Sequence, residues 1–435
     1  MGMYDVIIIG SGVMGMSIAR MLSQTFANIA VIDRDETGKH ASYKAGGMLG
    51  AQNEFTENNA LFSLATTSQR MFEPLRDSLF EEVGVDIEYL NSGLIKLATD
   101  HYDNKKIEQQ YQFLRQHFTS VERLSPTDVQ HVSNGAITSK HTNGIYMPED
   151  NQINANRYTK ALLKSLSHRH IDRIYQTTVT HIEAEKDGYR VDTQSGTYYS
   201  EKLIVTGGAW TSKLLQQYLP CEAVSGVKGE VLLIEQPDLN LDVTMFLTNG
   251  CYVVPKLKNR YLVGATSYFD DYSVGVSNSG KSWLKSQALH YIPDLKNGKI
   301  INQWSGIRPY CQNEQPIMDE VDKDLFVIAG HYRNGILLSP LIGELMSQWI
   351  ISGHRPTQLY DFRLGEVNEM KCKINGDVFN FEQPINIQEI IQSLRLDETR
   401  IIVEHNETLI KREQFTSRIV NDEDNLELLE FVGGG

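Results

Sequence analysis

Six residues near the start of the chain, Gly10-Ser11-Gly12-Val13-Met14-Gly15, have the types and spacing to hold a phosphate. The first glycine permits a tight turn, the second lets a pyrophosphate approach the backbone, and the third lets a helix pack closely on a strand. A helix starting here adds free N–H groups and the positive end of its dipole, so the cradle suits a dinucleotide. Asp33 follows the apolar run Ile29 to Ile32, and its carboxylate is placed to accept hydrogen bonds from ribose hydroxyls. Flavin and nicotinamide dinucleotides both present adenosine diphosphate to such a cradle, so other segments must decide between them.

The surrounding sequence supplies the elements that would position these groups. Val6 to Ile9 read as a buried parallel strand, followed by a helix with Met14, Ile18, Met21 and Leu22 on one face. Strand, glycine turn, helix and second strand form the first unit of a doubly wound α/β sheet. "KAGGMLGAQNEF", Lys44 to Phe55, is a stretch of small residues where backbone can approach a flat ring. "EKLIVTGGAW", Glu201 to Trp210, reads as a later buried strand ending in glycines. Leu325 to Ala329 gives one more strand, then a turn and an amphipathic helix whose N-terminus faces the cofactor again.

At 435 residues the length suggests two or three units with real cores. A formal charge of -14, from 55 acidic and 41 basic residues, disfavours a nucleic-acid or anionic-membrane surface and favours small-molecule chemistry. The four cysteines, Cys221, Cys251, Cys311 and Cys372, include no Cys-x-x-Cys pair, so neither a disulfide framework nor a metal site is indicated. The apolar run "VIIIG" is too short for a signal segment and flows into the glycine turn, which leads to the expectation of a cytoplasmic protein with no membrane-spanning segment.

Taken together, "GSGVMG", "AGGMLGA", "VKGEVLLIE", "GCYVVPKLKNRYLVGAT", "SGIRPYC" and "GHYRNGILLSP" resemble the glycine oxidase branch of the D-amino-acid oxidase family, over about Tyr4 to Leu364. The resemblance implies a Rossmann-like FAD domain interleaved with an antiparallel-sheet substrate domain across residues 1–366, non-covalent FAD, oxygen as acceptor and a homotetramer. Carried over residue by residue, the flavin contacts are Gly10, Gly12, Val13, Met14 and Gly15 in the cradle, Asp33 and Arg34 at the ribose, then Ala41, Ser42, Gly46, Gly47 and Met48. Val179 and the run His331, Tyr332, Arg333, Asn334, Gly335, Ile336 and Leu337 complete them.

At the substrate end, Arg308 in "SGIRPY" matches the family's carboxylate-binding arginine. The chemistry agrees, since a planar guanidinium grips a carboxylate at two points where an ammonium cannot. Arg333 matches a second position near the substrate, and Tyr252 the tyrosine lining the pocket. No side-chain base is required if the amine enters deprotonated, because its lone pair drives hydride loss from Cα. One departure stands out: Ser267 follows "GAT" where the resembled pattern carries methionine. Glycine is the implied substrate, with sarcosine or a small D-amino acid, or a dehydrogenase, as the alternative.

Beyond Leu364 this pattern stops, and Gly365 to Glu369 leads into "MKCKINGDVFNF". Asn375-Gly376 between alternating arms signals a type I′ hairpin, Ile387, Ile390, Ile391 and Leu394 form one helical face, and strands are expected around Asn406 and over "NLELLEFV". Hairpin, helix and strands within 370–435 make a β-grasp order, a small α+β fold. The segment resembles the ubiquitin-like sulfur carrier of thiamine biosynthesis. That resemblance implies adenylation of the Gly435 carboxylate and its conversion to a thiocarboxylate on a flexible, unbranched end. The implied partners are thiazole synthase and the adenylating, sulfur-transferring enzyme; the alternative is a ubiquitin-like docking module that tethers the oxidase.

Overall fold

The computed structural model describes residues 3–36, 40–100, 102–138, 143–364, 370–381, 385–394, 396–421 and 424–430. The chain divides into two compact units, Met1–Pro356 and Thr357–Gly435.

In the first unit the apolar runs without polar alternation become strands buried on both faces. Tyr4–Ile9 lies between Ile29–Ile32 and Gly196–Val205, parallel to both, with Ile8 opposite Val31 and Ile204. Leu325–Ala329 continues the parallel sheet on the far side of Gly196–Val205, Asp172–Ile174 closes the opposite edge, and Ile317–Asp322 adds an antiparallel edge strand. The helix Val13–Leu22 packs under this sheet against the helix Gly335–Ser352. Their crossing is close: a Cβ on Gly343 would lie 2.9 Å from that of Ser17. Gly335–Ser352 is long and apolar enough to cross a membrane by length and composition, but Leu338, Ile342 and Met346 are fully buried within the unit, which makes it a core helix.

The second sheet has nine strands and is mostly antiparallel. Its spine is the long pair Ser225–Glu235 and Lys299–Tyr310, beside Arg260–Gly264 and Tyr252–Lys256. One pairing, Thr244–Leu247 with Leu94–Leu97, is parallel. Leu232, Met245, Val253, Val263 and Leu284 fill the core beneath it. All four cysteines are unpaired, and Cys251, Cys311 and Cys372 are buried.

The second unit is a β-grasp. Met370–Ile374 and Asp377–Phe381 form the hairpin, and Asn375 and Gly376 both hold positive φ, 51° and 86°, as a type I′ turn demands. The helix Ile387–Ser393 starts at an Asn386–Glu389 capping box and buries Ile387, Ile390 and Ile391. Leu394 falls one residue past its end and is only partly buried. Ile401–His405 pairs antiparallel with Asn425–Glu430, which in turn runs parallel to the first strand of the hairpin. Two short strands, Ile385–Asn386 and Ile419–Val420, carry too few residues to leave a periodic signal.

Candidate active site

The glycine turn follows from contacts that exclude any side chain. Gly10 sits at φ 109°, and a Cβ there would come within 2.4 Å of the Thr206 carbonyl oxygen. At Gly15 a Cβ would lie 2.1 Å from the Gly10 carbonyl oxygen, so the helix rests directly on the turn. Its N-terminus has no side-chain cap from Gly12, and the Val13 N–H donates to Ser42 Oγ at 3.1 Å. Asp33 pins the turn: its Oδ2 accepts from Ser11 N (2.8 Å) and Ser11 Oγ (2.7 Å), while Oδ1 accepts from Asp35 N. The Arg34 guanidinium carbon lies over the Trp210 ring, 3.8 Å from its centroid.

These groups open into a cleft of about 650 Å³ running from the parallel sheet to the second sheet. Gly10, Gly12, Val13, Met14, Asp33, Arg34, Ala41, Ser42, Gly46, Gly47, Met48 and Val179 line it, as do Tyr252, Arg308 and the run 331–336. Gly15 and Leu337 do not. Gly15 acts through packing, and Leu337 is buried inside its helix. Gly435 lies outside the described residues.

The small-residue stretch is held by buried polar groups. Gly47, at φ 79°, leaves no room for a Cβ, which would meet the Ile153 carbonyl oxygen at 2.0 Å. Lys256 Nζ donates to Gly46 O (2.8 Å), Gln152 Oε1 (2.8 Å) and Ile153 O (3.0 Å), and burial pulls its amine down to about 7. Asp150 accepts from Gln52 N (3.0 Å), Asn53 N (2.7 Å) and Gln69 Nε2 (2.9 Å). Burial pushes its carboxyl up to about 7 against the pull of those donors. The stretch is therefore a fixed wall.

At the opposite end Arg308 extends from the strand Lys299–Tyr310 across Gly229, where a Cβ would come within 2.4 Å of Nη2. Its Nη1 donates to Thr266 O at 3.2 Å and lies 3.5 Å from Ser267 Oγ. Among the described residues no carboxylate pairs with it. Arg333 differs, because Nε (2.9 Å) and Nη2 (2.5 Å) both donate to Glu54 Oε2, and that carboxylate raises the guanidinium well above its ordinary value. Of the two arginines expected at the substrate, one is already neutralised. Tyr252 stacks on Phe246, and burial raises its phenol while the Arg308 charge opposes that rise. His331 is desolvated and held down at about 3, so its imidazole is neutral.

Thr206, Trp210, Glu54 and Lys256 lie inside segments the sequence singles out, but nothing local marks their roles, and Asp150 lies outside those segments. Each is brought in from a distant segment by the fold.

The fit of a flavin dinucleotide rests on two observations. The cradle is closed to any side chain at Gly10 and Gly15, and Nε2 of His331 and Oδ1 of Asn53 are buried at the cleft without a hydrogen-bond partner among the described residues. A dinucleotide cradle meeting an arginine and a tyrosine across two sheets defines a flavoprotein oxidoreductase. Residues 5–349 match the family described as FAD dependent oxidoreductase, and residues 366–435 match the ThiS family. The chain belongs to the FAD-dependent oxidoreductase family, FAD is its cofactor, and it carries a ThiS domain.

Among its relatives is the "Glycine oxidase" of Geobacillus kaustophilus, 35% identical over 349 residues, covering 80% of this chain and 93% of the relative. The crystal structure of glycine oxidase from Geobacillus kaustophilus superposes with a TM-score of 0.81 at 34% identity, covering 84% of this chain and 99% of that one. The "Bifunctional protein ThiO/ThiG" of Trichormus variabilis is 27% identical over 353 residues, covering 80% of this chain and 52% of that protein.

Proposed function

We propose that this protein is a bifunctional enzyme of thiamine biosynthesis, oxidising glycine at the cleft of its first unit and carrying sulfur as a thiocarboxylate on Gly435. The observation that carries the first half is Arg308. A guanidinium with no acid partner, facing a cleft beside a phenol, is built to take a substrate carboxylate at two points. The buried Tyr252 phenol stays protonated and offers a neutral donor next to it. The Glu54–Arg333 pair closes the same end without adding net charge. Bound in this cleft, FAD would supply the two-electron acceptor for the hydride of the glycine Cα, with dioxygen as final oxidant and hydrogen peroxide as its product.

No side chain of the cleft is required as the base. Glu54 is held by Arg333, and if the amine enters neutral its own lone pair forms the C=N bond as the hydride leaves. Imine that is not taken onward is converted by water to glyoxylate and ammonia. The work of the chain is positioning and exclusion of water. The test is oxygen uptake with glycine, with peroxide and glyoxylate counted in equal amounts; no uptake by the FAD-loaded protein removes this reading.

Ser267 favours a second substrate reading. It stands exposed 3.5 Å from Arg308, where the glycine oxidase pattern carries methionine, and so leaves space beside the carboxylate grip. Sarcosine or a small D-amino acid would use that space. A panel of amines ranked by kcat/KM decides between them.

The ThiS match over 366–435 supports the second half. Its partners are an enzyme that adenylates the carrier and transfers sulfur, and the thiazole synthase that receives both the imine and the sulfur. The ThiO/ThiG relative supports this pairing, since there an oxidase of this type is joined to a different protein.

A further inference from the structure

Behind the wall formed by Tyr43, Lys44 and Ala45 lies a second cleft of about 620 Å³, separate from the substrate end of the site. Lys44, Arg157, Lys160, Lys256, Lys258 and Arg260 line it, and among the described residues Glu88 is its only lining carboxylate. In a chain of net charge -14 such a concentration of cations is against the trend of the whole surface. Three of the six are accounted for, wholly or in part. Lys256 is committed to its three carbonyl acceptors, Arg157 lies 3.5 Å from Glu88, and Arg260 Nε lies 3.6 Å from Glu235.

Of the other three, Lys44 is buried in part and feels the Asp35 carboxylate, whereas Lys160 and Lys258 carry uncompensated charge. Among the described residues Lys44, Lys160 and Lys258 have no carboxylate within ion-pair distance, and Lys160 lies over the Tyr43 ring at 5.8 Å. Arg260 Nε, although near Glu235, is buried without a hydrogen bond. Lys258 stands in the turn Lys258-Asn259, where both residues hold positive φ, 66° and 52°. Asn and Gly adopt that conformation most readily, and here a lysine occupies the lip of the cleft.

We propose that this cleft is a binding site for a small polyanion of the diphosphate class, either free pyrophosphate or the diphosphate of a nucleotide. Two or more uncompensated ammonium groups around one cavity suit a multiply charged phosphate, and the volume lies in the range of small-molecule sites. Tyr43 and Trp304 line the same cavity and offer aromatic surface to a nucleoside. Lys44 and Ala45 line both this cleft and the FAD cleft, so an occupant would sit one backbone layer from the cofactor.

The test is isothermal titration calorimetry of the full-length, FAD-saturated protein, using sodium pyrophosphate, ADP and inorganic phosphate as probes. The expected result is saturable binding of pyrophosphate or ADP that weakens as salt is raised. In Lys160→Ala/Lys258→Asn, two exposed substitutions of which the second suits the turn, affinity should fall about tenfold or more, roughly 1.4 kcal/mol. Flavin content and glycine oxidation should be unchanged. Equal affinity for pyrophosphate and ADP assigns the site to the diphosphate alone, and tighter ADP adds the aromatic contact. No saturable heat with any probe, or the same affinity in the double variant, overturns the proposal.

Discussion

Arg308 and Arg333 present the same guanidinium to one cleft, and their neighbours separate them. Arg308 meets neutral oxygens, those of the Thr266 carbonyl and the Ser267 hydroxyl, whereas Arg333 gives two N–H groups to the Glu54 carboxylate. Removing Arg308 therefore takes away an unopposed positive charge. We expect Arg308→Leu to raise the KM for glycine by roughly 100-fold, in line with the loss of a desolvated charge pair of a few kcal/mol. Arg333→Leu should raise it far less and instead leave the Glu54 carboxylate unpaired. Steady-state kinetics with the flavin-to-protein ratio measured in parallel checks this, and equal effects on KM would be wrong for this division of roles.

Lys256 offers a pH test at the same scale. Its amine titrates near 7 in the folded protein and at 10.5 in the unfolded chain, so between those values the unfolded state binds the extra proton. The contribution of Lys256 to stability thus rises with pH across that window, is fully present above 10.5, and is lost as pH falls through 7. Lys256→Met should flatten this slope in urea melts taken between pH 7 and 10. It should also lower stability by roughly 1–3 kcal/mol for each acceptor left without a donor, of which a neutral amine serves two at a time.

At the scale of elements, the turn between the first strand and first helix is set by backbone contact rather than by side chains. Gly15 has no positive φ, so a methyl group there is excluded by contact: the Gly10 carbonyl oxygen at 2.1 Å, Thr206 Oγ1 at 2.6 Å and Ile8 Cγ2 at 3.2 Å. We expect Gly15→Ala to push the helix N-terminus off the turn and lower FAD retention, read as visible absorbance per protein after gel filtration. Gly84→Ala, at a helix C-cap with nothing near its Cβ, should cost only about 1 kcal/mol through its positive φ of 66° and leave FAD in place.

Much of this level was legible in the sequence, because strand, glycine turn, helix and acid follow one another within 30 residues. The type I′ hairpin at Asn375-Gly376 and the Ile387–Ile391 face were legible for the same local reason. Glu54, Asp150 and Trp210 were not. Glu54 meets Arg333 across 279 positions and Asp150 meets Asn53 across 97, and no period in a single sequence encodes such pairings. Arg333 was legible as a cation of the cleft, while its Glu54 partner was not.

On the scale of the whole molecule, every residue placed at the FAD cleft lies within Met1–Pro356, and the ThiS match begins at 366. The two activities should therefore come apart by simple cuts. Deleting Gly434 and Gly435 is expected to leave glycine oxidation and flavin content unchanged, because the residues that line the cleft run from Ile9 to Ile336. Sulfur loading should vanish, since adenylation and thiocarboxylate formation need an unbranched, flexible end that reaches the activating enzyme's catalytic centre. A purification tag appended after Gly435 should act in the same way. The measurement is intact-protein mass spectrometry after incubation with the adenylating enzyme, ATP and a sulfur source, following the mass gained when oxygen is replaced by sulfur. If the shortened or tagged chain still gains that mass, or the full chain never does with an active partner enzyme, Gly435 is not the carrier group and the second unit serves as a docking module.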